Sequence, residues 1–298
     1  MTHVATLISD PARPALDDAA IAMAVGVLAT TRDMRVLDPG IAVDLPFTPS
    51  GADDQAITQR LRAALAGVPI DVVVQPLASR RKRLFVADMD STMIGQECID
   101  ELADYVGLKA HVAAITERAM RGEIAFEPAL RERVALLKGL PVAVVEEVIE
   151  KRITLTPGGR TLVATIRQNG GRTCLVSGGF TLFTGRVGAM IGFDDNRGNT
   201  LVVEDGKLAG RVEEPILGRE AKLATLLELR DRLGLAPSDT LAAGDGANDL
   251  AMIEAAGLGV AYHAKPTVAE AAHARIDHGD LTALLYIQGY ARADFADA

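Results

Sequence analysis

The chain has 298 residues and a formal net charge of −9, with 49% hydrophobic and 24% charged residues. This length accommodates two domains, or one large domain with an insertion. The negative charge excludes a general nucleic-acid binder, which needs clustered basic residues to neutralise phosphates. No apolar run approaches the roughly 20 residues of a membrane helix, and no leader pattern stands at the start, so we expect a cytoplasmic protein without a membrane partner. The two cysteines, Cys98 and Cys174, are isolated, as is typical of a reducing compartment.

The first 80 residues alternate strand and helix patterns in the order βαββαβ. Strands are predicted at residues 3–8, 35–37, 41–45 and 70–75, and helices at residues 16–29 and 53–66. This order is typical of a ferredoxin-like α+β module, and it resembles the small ACT-like domains that often bind amino acids. Because no ligand motif is visible, we interpret residues 1–80 as a structural or dimerising module, and a homodimer is left open.

A basic run, Arg80-Arg81-Lys82-Arg83, follows this module. A charge run between two patterned segments is typical of a solvated linker rather than of a nucleic-acid patch. We therefore predict that the run joins the first module to a second domain, residues 81–298, and that its side chains lie in solvent.

From residue 84 onward, apolar strands alternate with helices. Strands are predicted at residues 84–88, 173–178, 240–244 and 259–262, with a short last strand near 275–278. This alternation predicts a Rossmann-like α/β domain with a parallel sheet covered on both faces. An insertion at about residues 97–155 has helical spacing, and we interpret it as a helical cap over a site. A hairpin predicted at residues 201–208 is assigned to the core side.

Two carboxylates, Asp88 and Asp90, come directly after the first of these strands. In an open α/β sheet, ligands bind at this carboxyl end of the strands. Two acids so close together repel each other unless a cation lies between them. Mg²⁺ is the natural occupant because it prefers carboxylate, water and phosphate oxygens. For this motif alone, a solvated acidic turn remains the alternative.

Three further segments of the same domain carry polar groups. Ser177 is followed by two glycines, which allow backbone N–H groups to approach an anion closely. Lys222 lies near the start of a predicted helix, where a cation is slightly unfavourable unless an anion is present. Asp245 and Asp249 stand four residues apart in a glycine-rich turn that leads into a helix. Both carboxylates can therefore face one site.

These segments occur in the order of a known set of motifs. Asp88-Met-Asp-Ser-Thr92, Ser177-Gly-Gly179, Lys222 and Gly244-Asp-Gly-Ala-Asn-Asp249 resemble the motifs of the haloacid-dehalogenase (HAD) superfamily of Mg²⁺-dependent phosphatases. The resemblance covers about residues 84–290. Within the superfamily, Glu97 and the stretches 126–134 and 176–180 resemble the phosphoserine phosphatase family. Met89 stands where many members have Phe, and its bulk is similar.

The resemblance implies a role for each motif residue. Asp88 would be the nucleophile that forms an aspartyl-phosphate, and Asp90 would be the general acid and base. Mg²⁺ would be held by the carboxylates of Asp88 and Asp245 and by the backbone carbonyl of Asp90. The groups that would bind phosphoryl oxygens are Ser177, the Gly178 N–H, Lys222 and Asn248, with Asp249 in support.

By the same resemblance, the cap selects the substrate. Glu97 would receive the ammonium group of phosphoserine, and Arg133 would receive its carboxylate, which a planar guanidinium matches. Met120 and Phe126 would form an apolar wall around the serine stem. Without the resemblance, Arg133 is a cap-surface partner of Glu132 or its neighbours, and Glu97 is an ordinary first-turn acid.

The expected activity is hydrolysis of O-phospho-L-serine, with this small phosphomonoester as the partner molecule. Two alternatives remain within enzymes, namely another small phosphomonoester as substrate, or transfer of the phosphoryl group to an alcohol. A reading from a different class is a signalling protein in which Asp88 accepts a phosphoryl group and the first module senses an amino acid. A metal-buffering or structural protein would leave Ser177 and Lys222 without a task.

Overall fold

The computed structural model describes residues 1–29, 34–51, 53–120 and 123–297, without the side chains of Ala119 and Met120. The first module consists of β1 (His3–Ser9), α1 (Asp18–Leu28), β2 (Arg35–Asp38), β3 (Ala42–Phe47), α2 (Asp54–Ala64) and β4 (Ile70–Pro76). Its strands form an antiparallel sheet in the order β2-β3-β1-β4, as the βαββαβ pattern predicts. Asp17 and Asp53 begin the two helices by accepting a backbone N–H three residues on.

A short strand, β5 (Leu84–Ala87), opens the second region and is followed by a tight turn and the helical insertion. The helices of this insertion are α3 (Cys98–Tyr105), α4 (Lys109–Met120), α5 (Phe126–Ala135) and α6 (Ala143–Arg152). Leu102, Val134 and Val148 are each fully buried between these helices and the core. The insertion is therefore a small helical cap, as the spacing of its apolar residues predicts.

The core continues as a parallel sheet flanked by helices. Its remaining elements are α7 (Gly159–Gln168), β6 (Arg172–Phe180), α8 (Thr181–Ile191), β7 (Asp195–Asn199), β8 (Leu201–Glu204), β9 (Lys207–Val212), α9 (Arg219–Arg232), β10 (Thr240–Gly244), α10 (Leu250–Ala255), β11 (Leu258–Tyr262), α11 (Pro266–Ala271), β12 (Ala274–Ile276) and α12 (Ala283–Tyr286). The sheet order is β12-β11-β10-β5-β6-β7. Phe85 and Ala87 pack into one apolar cluster and Leu84 and Val86 into another, so β5 is covered on both faces. No described helix is long and apolar enough to cross a lipid bilayer.

The β8–β9 hairpin contacts the cap, and the assignment of this hairpin to the core side is wrong. The N–H of Leu208 donates to the Leu140 carbonyl, and the N–H groups of Gly139 and Val142 donate to the hairpin carbonyls of Leu208 and Gly206, all at 2.8 to 2.9 Å. A strand edge exposes unpaired backbone groups. The connection between α5 and α6 provides partners for one edge of β9, and this long-range choice of partner leaves no local mark in the sequence.

The basic run at residues 80–83 is not a solvated linker, because Arg80 and Lys82 are buried. The Arg80 guanidinium binds both carboxylate oxygens of Asp44, at 2.7 and 2.9 Å. The Lys82 ammonium donates to the carbonyls of Ser79 and Ser238, at 2.6 and 2.8 Å. The partners that make burial possible come from distant parts of the chain.

The first module and the core share one apolar interior. Ile8, Ile41 and Val73 on one face of the first sheet belong to the same cluster as Phe85 and Tyr286, while α1 and α2 cover the other face. At the same seam, the carboxylate of Asp71 accepts the backbone N–H groups of residues 277, 278 and 279, at 2.7 to 3.2 Å. The module is thus docked on the core through both apolar and polar contacts.

Candidate active site

Asp88 lies directly after β5, at the carboxyl edge of the core sheet. Its N–H donates to the Ala243 carbonyl at 2.9 Å, which holds it beside the end of β10. Its carboxylate is buried, and Oδ1 accepts the Met89 N–H at 2.8 Å. The same oxygen lies 2.6 Å from the Lys222 ammonium. Parallel strands thus bring together residues that are far apart in sequence.

Lys222 comes from the first turns of α9 and is buried between two acids. Its Nζ lies 2.6 Å from Asp88 Oδ1 and 2.7 Å from Asp249 Oδ1. Burial alone would lower the pKa of Lys222, but the Asp88 and Asp249 carboxylates outweigh it and raise this pKa above its usual value. The side chain is therefore a charged ammonium fixed beside Asp88.

Glycines in the turn after β10 allow Asp249 to fold back onto the strand end. A Cβ on Gly244 would lie 2.3 Å from the Asp249 carboxyl carbon, so no other residue fits there. The second Asp249 oxygen accepts the N–H of Gly246 at 3.1 Å. Both oxygens are thus engaged, one by the Lys222 ammonium and one by the backbone, and the predicted supporting position of Asp249 agrees with these contacts.

Three carboxylates could hold a metal ion at this edge. Asp88, Asp245 and Asp249 each offer an oxygen within 4.8 Å of the others. Burial and the neighbouring Asp249 carboxylate raise the pKa of Asp88 well above its usual range, against the lowering effect of Lys222. Three acids facing one ammonium leave an excess of negative charge, and their hard oxygen atoms suit Mg²⁺. The residues fit the predicted cation.

The Asp90 carboxylate points away from this group. Its Oδ1 accepts the backbone N–H of Cys98 at 3.1 Å, and its Oδ2 accepts the hydroxyl of Ser177 at 3.2 Å. Ser177 Oγ in turn accepts the Gly179 N–H at 2.8 Å. Burial raises the pKa of Asp90, while the hydrogen bonds from Cys98 and Ser177 oppose this shift. The Asp88 turn and the Ser177 turn therefore meet through Asp90.

Glu97 reaches the same site at the start of the cap. Ser91 has a left-handed backbone, with φ of 56°, and donates its hydroxyl to Glu97 Oε1 at 2.7 Å. Desolvation of the carboxylate, followed by the negative charge of Asp90, raises the pKa of Glu97 to about 7, although the bond from Ser91 lowers it. Glu97 is thus an acid crowded against the site rather than an isolated first-turn acid.

Arg133 on α5 has no carboxylate within ion-pair distance in the ranges that the structure describes. Its Nε donates to the Ala129 carbonyl and its Nη1 to the Thr116 hydroxyl, both at 3.2 Å. Burial lowers its pKa, and the charges of Asp100 and Glu97 raise it. Glu132 pairs with Arg118 instead, at 3.2 Å, so the alternative of a surface pair between Arg133 and Glu132 is wrong.

Phe126 places the cap on the phosphate side of the site. A Cβ on Gly178 would lie 3.3 Å from its ring, and one on Gly218 would lie 3.5 Å away, so the ring covers both glycines. The side chain of Met120 lies outside the described residues, and its predicted wall position stays a prediction. Asn248 is exposed in the turn after β10, and within the described ranges its side chain makes no hydrogen bond to the site residues.

Asn199, a buried residue at the end of β7, was missed by the sequence analysis. Its Nδ2 donates to the Gly178 carbonyl at 2.8 Å and to the Leu217 carbonyl at 3.1 Å, and its Oδ1 accepts the Leu217 N–H at 2.7 Å. It thereby ties the Ser177 turn to the loop before α9, which carries Lys222. A lone Asn in a polar segment offers no signal of this role.

Comparison with known proteins identifies the family. Residues 85–254 match the family of haloacid dehalogenase-like hydrolases. The chain is 49% identical over 224 residues to a phosphoserine phosphatase of Polaromonas sp., which covers 74% of this chain and 95% of that protein. A HAD family hydrolase of Salmonella enterica serovar Typhi superposes with a TM-score of 0.87 at 31% identity over 97% of this chain and 98% of that one. A probable phosphoserine phosphatase of Vibrio cholerae gives 0.78 at 31% identity, over 98% and 88%. The chain therefore belongs to the haloacid dehalogenase-like hydrolases and groups within them with the phosphoserine phosphatases.

Proposed function

We propose that the protein hydrolyses O-phospho-L-serine to L-serine and phosphate in a Mg²⁺-dependent reaction that passes through an aspartyl-phosphate at Asp88. One observation carries this proposal. A buried carboxylate paired with an ammonium lies at the end of β5, beneath a cap that offers an acid, Glu97, and a guanidinium without a carboxylate partner, Arg133. The name of the Polaromonas relative supports the same substrate.

Asp88 is suited to attack phosphorus. Its hydrogen bond and its ion pair both fall on Oδ1, so Oδ2 is the oxygen available as nucleophile. A bond forms between this oxygen and phosphorus while the bond from phosphorus to the seryl oxygen breaks, and water then releases phosphate. Mg²⁺, held by the carboxylates of Asp88 and Asp245 and the backbone carbonyl of Asp90, would reduce the repulsion between two anions and orient the phosphoryl group.

Asp90 transfers the protons of both steps. As an acid it protonates the leaving seryl oxygen, and as a base it then takes a proton from the attacking water. Its raised pKa supports the first step, because a buried carboxyl holds its proton more readily. The hydroxyl of Ser177 and the N–H of Cys98 fix the two oxygens of the carboxylate in place.

The transferred phosphoryl group meets positive charge and hydrogen-bond donors. Lys222, held by Asp249, stands beside the attacking oxygen, and Ser177, the Gly178 N–H and Asn248 complete the set. Donors fixed in advance stabilise the charge that spreads over the phosphoryl oxygens in the transition state. In the cap, Glu97 binds the substrate ammonium and Arg133 binds its carboxylate.

Rates on a panel of phosphomonoesters test the substrate. We expect the highest kcat/KM for O-phospho-L-serine, a lower one for O-phosphoethanolamine, which lacks the carboxylate, and the lowest for an aryl phosphate. The proposal fails if phosphoserine is no better than the aryl phosphate. Serine should inhibit as a product, and chelation of Mg²⁺ should stop turnover. A phosphoenzyme that survives for minutes with Mg²⁺ present would instead support the signalling alternative.

A further inference from the structure

A second cavity lies between the first module and the core, away from the catalytic edge. Its volume is about 650 Å³, and its walls come from α2 and β4 on one side and from the segment between α11 and β12 and the start of β11 on the other. Lys82, just before β5, and Leu258, the first residue of β11, both line it. Asp88 and Asp245 follow the opposite ends of their strands. The cleft is therefore at the amino edge of the sheet, and its volume suits a small metabolite.

Three cations converge on this cleft from different elements. Arg62 comes from α2, Lys82 from the segment before β5, and Arg275 from β12. The Arg62 guanidinium has no ion pair in the described ranges and makes one long hydrogen bond, at 3.4 Å, to the Val72 carbonyl. The Lys82 ammonium is held by two carbonyls and by no described carboxylate. Both cations keep donors that protein groups leave unused.

Arg275 shows an unused donor directly. Its Nε lies 2.7 Å from an Asp277 oxygen, yet this buried nitrogen has no partner with hydrogen-bond geometry in the described residues. A buried polar group without a partner destabilises the fold until a ligand or another group satisfies it. A second donor comes from His273, whose Nδ1 accepts the Gly259 N–H at 3.1 Å, so that the neutral ring carries its proton on Nε2.

The electrostatics of the cleft point the same way. Desolvation and the charge of Arg275 lower the pKa of Arg62, and desolvation lowers the pKa of Lys82 to about 8. Burial, followed by the charge of Lys82, lowers the pKa of His273. The acids on the walls, Asp54 and Glu270, form no described ion pair with these cations, and Asp54 lies 3.6 Å from His3 instead. The cations are thus partly desolvated without adequate counter-charge.

We propose that this cleft is a second binding site, for a small molecule that carries a carboxylate or phosphate group. Arg62, Lys82 and Arg275 bind its oxyanion, because guanidinium and ammonium groups are the donors that match such oxygens. The ligand contacts the first module through Arg62 and the core through Lys82 and Arg275. Its binding therefore stabilises the docking of one unit on the other.

Calorimetric titration of the full-length protein tests this site with two probes, inorganic phosphate and citrate. We expect at least one probe to bind, and we expect Arg62→Met and Arg275→Met each to weaken that binding at least tenfold. Arg60→Met is the matched control, since Arg60 is on the same helix outside the cleft and donates to the Val27 carbonyl. It should bind the probe as the unaltered chain does. Stronger binding of phosphate would identify a phosphomonoester, and stronger binding of citrate a carboxylate.

Three results would overturn the proposal. The first is that neither probe binds at concentrations of tens of millimolar. The second is binding that survives in Arg62→Met and Arg275→Met, which would place the anion elsewhere, for example at the catalytic edge. The third is an equal loss in Arg60→Met, which would indicate a diffuse charge effect. Melting curves without probe establish that each variant is folded, and Lys82→Met replaces a variant that is not.

Discussion

Two buried groups of charges in this molecule are built on opposite terms. At the seam, the guanidinium of Arg80 meets both oxygens of Asp44 and also donates to Thr6 and to the carbonyls of Tyr286 and Ile287, at 2.7 to 3.3 Å. We call these groups the seam network. At the end of β5, Asp88, Asp245 and Asp249 share one ammonium, that of Lys222, and we call these groups the catalytic cluster.

The seam network is electrically balanced, and each guanidinium nitrogen has a partner. Such a group holds two surfaces together and has no capacity to bind anything else. The catalytic cluster has more acid than base, and burial raises the pKa of Asp88 because that excess is unfavourable. An imbalance of this kind is the mark of a site that completes itself with a ligand. Balance thus separates the structural group from the functional one.

Replacing Asp88 should give the largest effect. Asp88→Asn removes the attacking carboxylate, and we expect kcat to fall by about 10⁴-fold or more because a neutral amide is a poor nucleophile. Loss of one acid from a cluster that has too many should leave the melting temperature equal or higher. Steady-state rates and thermal melts measure both. Retained turnover, or a clearly less stable protein, would contradict the comparison.

Replacing Asp44 should do the reverse. Asp44→Asn leaves the buried Arg80 charge unpaired, which should lower the free energy of unfolding by about 3–5 kcal/mol, as for other broken buried pairs. The rate per folded molecule should hardly change. Urea denaturation measures the loss, and the double variant Asp44→Leu with Arg80→Met is the control, since it removes both charges and should recover part of the stability. A change in kcat equal to that of Asp88→Asn would refute the distinction.

Arg133 tests the same idea in the cap. It is a cation that lacks a described carboxylate partner, so its proposed partner is the substrate. Arg133→Ala should lower kcat/KM for phosphoserine by about 10²-fold, the scale of a lost desolvated charge pair, and affect an aryl phosphate far less. Arg131→Ala is the matched control, because Arg131 is exposed and already paired with Glu127 and Glu214. Equal losses on both substrates would remove the proposed contact.

A peripheral hydrogen bond at the seam should give the smallest effect. The Tyr286 hydroxyl donates to Asp38 Oδ2 at 2.6 Å. Tyr286→Phe keeps the ring and removes this bond, and should lower the free energy of unfolding by about 1 kcal/mol with activity unchanged. Urea denaturation beside the Asp44→Asn variant checks the order. A loss as large as that of Asp44→Asn would mean that the seam depends on this bond rather than on the charge pair.

The sequence predicts the site better than it predicts the packing around it. Asp88, Ser177, Lys222 and Asp245 stand at strand ends and helix starts, and parallel topology brings such positions together without further information. The strand at residues 195–199 was not predicted, because Asp-Asn-Arg-Gly-Asn has no apolar alternation and its place beside β6 depends on tertiary pairing.

The burial of Arg80 could not be predicted either. Four basic residues in a row have the pattern of a solvated segment. What buries Arg80 is Asp44, together with carbonyls more than 200 residues away along the chain. Local composition holds no record of such partners. The same limit applies to Asn199, whose role depends on the Gly178 and Leu217 carbonyls that its side chain meets.

The hydrogen bonds between the β8–β9 hairpin and the cap bear on how this protein can be divided. The cap is joined to the core by its two chain crossings and also along β9, through Gly139, Leu140 and Val142. A chain shortened by residues 97–155 would keep its nucleophile but would expose a strand edge that other molecules can pair with. Such a protein should self-associate, so the cap is also a solubility element of the core.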